Sequence, residues 1–203
     1  MRLEPSGVAS EPAEEIVLAT DGQPGERAPS RARIWRGVWE FLHDLSVAVL
    51  FCFFLITFVV QAFRVQGTSM EPLLGDGERI IVNKFVYRLR PIERGDVVVF
   101  WYPRDPSVSF IKRVVGLPGD SVELRAGRLF INGAAVEERY LREGFRSDDT
   151  RLPAEVPRGF YFVLGDHRRS SNDSRSWGGV PERYIYGRAA FRFWPLGRLG
   201  FVR

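Results

Sequence analysis

With 203 residues, 45% of them hydrophobic, the chain has room for one domain carrying a small insertion and enough apolar material to give it a core. Its net charge of +4 is a small, scattered excess, which reads as a solvated surface rather than a nucleic-acid or anionic-lipid site. A single cysteine, Cys52, excludes an intrachain disulfide.

Residues 1–30 are rich in Pro, Gly, Ala, Ser and Glu without apolar periodicity, and read as a disordered tail. From Arg31 to Asp44, Ile34, Trp35, Val38, Trp39, Phe41 and Leu42 recur at helical spacing among Arg31, Arg33, Arg36 and Glu40. That pattern predicts an interfacial amphipathic helix with two tryptophans at headgroup level and His43 near the interface.

Leu45 to Phe63 is uncharged and interrupted only by Ser46, Thr57 and Gln61. As a helix it would span roughly 28 Å, enough for one membrane crossing. A cleaved signal peptide would have a shorter apolar region nearer the start, and a buried soluble helix is the other alternative. Arg27, Arg31, Arg33 and Arg36 precede the run, whereas Arg64, Arg79 and Lys84 follow it. The bias points to a cytoplasmic amino terminus, with residues 64–203 on the far side.

Beyond Phe63 the periodicity shortens to β-like runs bounded by Gly, Pro and Asp: 79–85, 96–102, 110–115, 121–124, 128–131, 160–164 and 189–194. Asn132-Gly133 predicts a hairpin over Arg128 to Val136. The expected domain is mainly antiparallel β, a folded-over or barrel-like sheet. Residues 121–158 read as a small inserted subdomain, in which the charged stretch Glu137 to Pro157 has no legible role.

Only two of the 29 cationic residues are lysines, Lys84 and Lys112. A GC-rich genome accounts for the bias, but a proton acceptor cannot be an arginine. Lys112 lies in Phe110-Ile111-Lys112-Arg113-Val114-Val115, where strand alternation sets it on the face of Phe110 and Val114 and turns Arg113 the other way. Apolar surroundings would lower its pKa and make it a base; a snorkelling edge lysine is the plainer alternative. Ser69, in Gly67-Thr68-Ser69-Met70-Glu71-Pro72, would be ordinary turn chemistry alone and a nucleophile beside such a base. A third segment, Gly165 to Gly178, alternates Asp, Arg and Ser, and reads either as an exposed loop or as an ordered ionic network.

Taken with Arg94-Gly95-Asp96-Val97-Val98-Val99-Phe100 and Phe110 to Asp120, these segments make the chain from Arg36 to Pro195 resemble the bacterial type I signal peptidases. The resemblance implies a Ser-Lys dyad endopeptidase, with Ser69 as nucleophile and Lys112 as general base, that removes signal peptides from exported preproteins. It implies that Ser171 orients the lysine amine, and that Asp166, Arg168, Asp173 and Arg175 support the site through ion pairs. Phe63, Val65, Met70, Leu74, Ile80, Val99, Phe110 and Ile111 would wall shallow pockets for small-x-small sequences such as Ala-X-Ala. Apolar surface near the site would rest on the bilayer.

Three positions depart from the family pattern. Gly67 lacks the hydroxyl with which some relatives bind the oxyanion, leaving the Ser69 backbone N–H as the clear donor. Leu73 replaces a threonine, which reads as packing. His167 replaces an asparagine and raises a rival base in a Ser69-His167-Asp arrangement, although the family's histidine variants carry it at the position held here by Lys112. No metal-ligand spacing and no phosphate loop is present, so neither metal, cofactor nor nucleic acid is expected. Other Ser-Lys proteases and a non-catalytic membrane-anchored β scaffold remain as rivals; the oligomeric state is not legible.

Overall fold

The computed structural model describes residues 31–55 and 60–203, so the expected amino-terminal tail lies outside the described residues. Chain contacts separate into two units that divide inside the first helix, after Leu45.

That helix, α1 (Arg31–Phe54), is continuous. Its stretch Ile34–Phe54 is long and apolar enough to cross a membrane, with a mean hydropathy of 1.5. Trp35, Trp39, Leu50, Phe51 and Phe53 are all exposed, an apolar surface of the kind that lipid covers. The expected span to Phe63 is therefore corrected at its far end, and no break in the helix marks the expected division at Asp44. One helix runs through residue 44, and Phe63 belongs to strand β1 (Val60–Arg64). The run changes period because Val60–Arg64 pairs antiparallel with β2 (Arg79–Asn83), for example Phe63 with Ile80. Residues 56–59 of the expected span lie outside the described residues.

The remaining elements are α2 (Val86–Leu89), β3 (Val97–Tyr102), β4 (Asp105–Gly116), β5 (Ser121–Arg125), β6 (Arg128–Ile131), β7 (Ala134–Ala135) and β8 (Arg151–Glu155). They are followed by β9 (Phe160–Leu164), α3 (Ser174–Trp177), β10 (Val180–Pro181), β11 (Ile185–Trp194) and β12 (Gly200–Phe201). The main sheet runs β1-β2-β11-β3-β4-β9-β10, with β12 added to β11. Every pairing in it is antiparallel, and the sheet is open, ending on β1 and β10, rather than closed into a barrel.

Strand β3 explains how the sheet is covered. Val97 and Val99 enter one core cluster with Val65, Met70, Leu74, Ile80 and Val82, whereas Val98 and Phe100 enter another with Val114, Tyr161 and Val163. A strand buried on both faces must read as a continuous apolar run, as Val97-Val98-Val99-Phe100 does.

The insertion forms its own sheet, β7-β6-β5-β8. Asn132 and Gly133, both at positive φ, close β6 onto β7 as the Asn-Gly pair predicts. Ala126 and Gly127 make a second such turn between β5 and β6. Gly127 is required there, since a Cβ would lie 1.7 Å from the Ser147 carbonyl oxygen. Strand β8 was not legible in Glu137 to Pro157, because all five of its residues are exposed and carry no burial pattern.

Candidate active site

Ser69 stands in the loop joining β1 to β2. Val65 donates to the Glu78 carbonyl at 2.8 Å and Gly77 donates to that of Val65 at 2.9 Å, closing the loop at its base. Gly67, at φ +85, turns the chain, and its N–H donates to Asp76 Oδ1 at 2.7 Å. On the other side the Ser69 carbonyl accepts from the His167 N–H at 3.0 Å. A Cβ on Gly165 would fall 2.5 Å from that carbonyl oxygen and 2.2 Å from Ser171 Oγ. The loop therefore packs directly on the Gly165 segment.

Lys112 approaches from β4, whose register on β3 sets it opposite Val98. Its Nζ lies 2.7 Å from Ser69 Oγ and 2.9 Å from the Ile111 carbonyl oxygen, over the Phe110 ring. The side chain is 4% exposed. Burial pushes the amine from its ordinary value down to about 8, against the opposing pull of Asp173 and then Asp166. A serine hydroxyl touching an amine that can be neutral near physiological pH has the geometry for proton transfer from oxygen to nitrogen.

The charged residues of the Gly165 segment find partners both within it and outside it. Asp166 is held by two of the three guanidinium nitrogens of Arg113, Nε at 2.9 Å and Nη2 at 2.7 Å, with both side chains buried. Asp173 takes Arg175 Nε and Nη2, each at 2.8 Å, and the Gly165 N–H at 3.0 Å. Arg168 pairs with Glu138, and Arg175 also reaches Asp149. The expected ion pairs thus exist, but only Asp173–Arg175 is internal to the segment. Arg113, Glu138 and Asp149 are partners that sequence reasoning did not name, and the last two give the charged insertion a structural role.

A cleft of about 420 Å³ opens over Ser69 and Lys112. Phe63, Val65, Ile80, Val99, Phe110 and Ile111 line it, as do Arg64, Gln66, Thr68, Ser109, Ser170 and Asn172, which sequence reasoning did not single out. Met70 and Leu74, expected as walls, instead lie in the core, 1% and 0% exposed. Ser171 Oγ is buried without a hydrogen-bond partner, so it makes no bond to the Lys112 amine here. His167 turns its Nδ1 towards Glu71, 3.7 Å away, and packs its ring edge-on to Phe145. Its contact with Ser69 is through the backbone. Among the described residues no group of three or more His, Cys, Asp or Glu could hold a metal.

A family model described as signal peptidase, peptidase S26, matches residues 38–194. A signal peptidase I from Leptolyngbya laminosa is 39% identical over 87% of this chain and 90% of its own length. A probable signal peptidase I-2 from Synechocystis is 41% identical over 80% and 76%, and signal peptidase IB from Staphylococcus aureus is 35% identical over 80% and 92%. The crystal structure of a signal peptidase I from Enterococcus faecalis, 36% identical, aligns with 50% of this chain and 98% of that one at a TM-score of 0.44. On the family match and the relatives' shared length, the chain belongs to the peptidase S26 family of signal peptidases.

Proposed function

We propose that the chain removes signal peptides from exported preproteins by a Ser-Lys mechanism, and the observation that carries the reading is the 2.7 Å contact between Lys112 Nζ and Ser69 Oγ under an open cleft. Strand β9 pairs with Arg113 to Gly116 of β4 only, and β1 ends the main sheet. The extended segment before the scissile bond lies along these edges, with its side chains against Phe63, Val65, Ile80, Val99, Phe110 and Ile111. Side chains before the bond, as in Ala-X-Ala, are small ones that rest on shallow pockets in these walls.

Neutral Lys112 takes the Ser69 proton as Oγ bonds to the scissile carbonyl carbon. The Ser69 N–H stabilises the resulting oxyanion. The ammonium then returns the proton to the leaving amine as the C–N bond breaks, freeing the mature chain and leaving an acyl-enzyme. Water, deprotonated by the same amine, then bonds to the acyl carbon; the C–Oγ bond breaks, the ammonium returns its proton to Ser69 Oγ, and the signal peptide leaves with the new carboxyl group. Asp166, Arg168, Asp173 and Arg175 hold the segment against which Ser69 packs, and Ser171, whose Oγ is buried with its hydrogen-bonding capacity unused, orients the lysine amine. Helix α1 anchors the enzyme in the bilayer, with its amino terminus cytoplasmic on the arginine bias and the β domain outside.

The test is incubation of the detergent-solubilised chain with an exported preprotein, followed by mass spectrometry of the new amino terminus. Cleavage after a small-x-small site, lost in Ser69→Ala and in Lys112→Met, is expected. Cleavage elsewhere, or activity surviving Lys112→Met, would refute the mechanism.

A further inference from the structure

The cleft has two chemically different parts. Along β1, β2, β3 and β4 its walls are mainly apolar, with Arg64 and Ser109 among them; in the nucleophile loop and the Gly165 segment they are Gln66, Gly67, Thr68, Ser170 and Asn172, all exposed and none charged. Thr68 Oγ1 and Ser170 Oγ are 3.2 Å apart, joining the nucleophile loop to the Gly165 segment across 102 residues of chain. A hydroxyl has one proton to give and two lone pairs. Whichever of the two donates in this bond, the other keeps its proton for a ligand, and Asn172 adds an amide donor and acceptor.

This inference rests on the peptidase reading above. If the residues before the scissile bond occupy the apolar walls, the residues after it must leave past Ser69, over Thr68, Ser170 and Asn172. We propose that these three side chains form the subsite that receives the first residues of the mature chain, and that they favour a hydrogen-bonding side chain there, above all a carboxylate, over an aliphatic one. The exposed Arg64 lines the same cleft and adds positive potential. Arg169, next to Ser170, is exposed and pairs with Asp148 at 3.5 Å, so its charge is partly taken up.

The experiment uses the full detergent-solubilised chain and one exported preprotein in three versions, with Asp, Val or Lys directly after an unchanged Ala-X-Ala. The quantity read is the ratio of kcat/KM values between versions, which is independent of the fraction of active enzyme. Wild type is expected to prefer Asp to Val, and Asn172→Ala or the pair Thr68→Val, Ser170→Ala to cut that preference by roughly twofold to tenfold, the range of one net hydrogen bond. Asn172→Asp is expected to move the preference from Asp towards Lys, a gain that misfolding cannot produce. Cleavage with ratios that stay fixed across all variants, including a uniform fall on every version, would overturn the subsite. Failure of wild type to cleave any version would instead refute the peptidase reading on which the subsite depends.

Discussion

Lys112 and Arg113 are neighbours on one strand with opposite electrostatic surroundings: Lys112 Nζ meets the neutral Ser69 Oγ at 2.7 Å, whereas Arg113 Nη2 meets the Asp166 carboxylate at 2.7 Å. Both side chains are buried, at 4% and 3% exposure. The cation that is matched by a carboxylate stays charged, and the one that is not sheds its proton near neutral pH.

Lys112→Arg is accordingly expected to abolish processing, by about 10³-fold or more, since a guanidinium cannot act as the base. The measurement is preprotein cleavage beside a circular dichroism spectrum that stays native.

The pH profile follows from the same group. With the amine at about 8, kcat/KM should fall roughly tenfold per unit below pH 8 and level off above it. A profile without that inflection, on a substrate free of titrating groups, would assign the base elsewhere.

Stability should move the same way. Burial lowers the folded-state value below the ordinary 10.5, so between pH 8 and 10.5 the unfolded chain binds more protons than the folded one. Stability contributed by this site therefore rises with pH across that window, and below pH 8 the buried ammonium destabilises the fold in full. Lys112→Met is expected to raise stability at pH 7, by up to about 3 kcal/mol, and to do so less at pH 10.5. Thermal melting at the two pH values checks it.

Gly165→Ala should impair catalysis more than folding. The new methyl meets Ser171 Oγ at 2.2 Å and the Ser69 carbonyl oxygen at 2.5 Å, so the nucleophile loop has to shift. A displacement near 1 Å lowers kcat by roughly 10²-fold. Cleavage kinetics compared with the melting temperature separate the two effects.

Glu138→Ala would leave the Arg168 guanidinium buried without its carboxylate and is expected to destabilise the domain by roughly 3–5 kcal/mol. Replacing both residues by methionine should recover most of that loss. Denaturant unfolding of the single and double variants tests the pair. By contrast, His167→Asn should change kcat/KM by less than about threefold, because the bond to Ser69 comes from the backbone N–H, which asparagine retains.

What the sequence alone determined were the local patterns: an apolar helix, seven β-like runs that each fall on a strand, with Lys84, Phe85 and Asp96 just outside, and an Asn-Gly turn closing a hairpin. Strand alternation also placed Lys112 and Arg113 on opposite faces before any partner was known. Tertiary structure decided what depends on distant pairing. Val60–Arg64 became a strand because β2 was there to pair with it, although its composition continues the apolar run. Met70 and Leu74 went to the core while Phe63, Phe110 and Ile111 line the cleft, a distinction invisible to hydrophobicity because a pocket wall and a core use the same residues. The partners of Asp166, Arg168 and Arg175 come from residues 113, 138 and 149, because charge complementarity names a type of partner and only the chain's path chooses which one arrives.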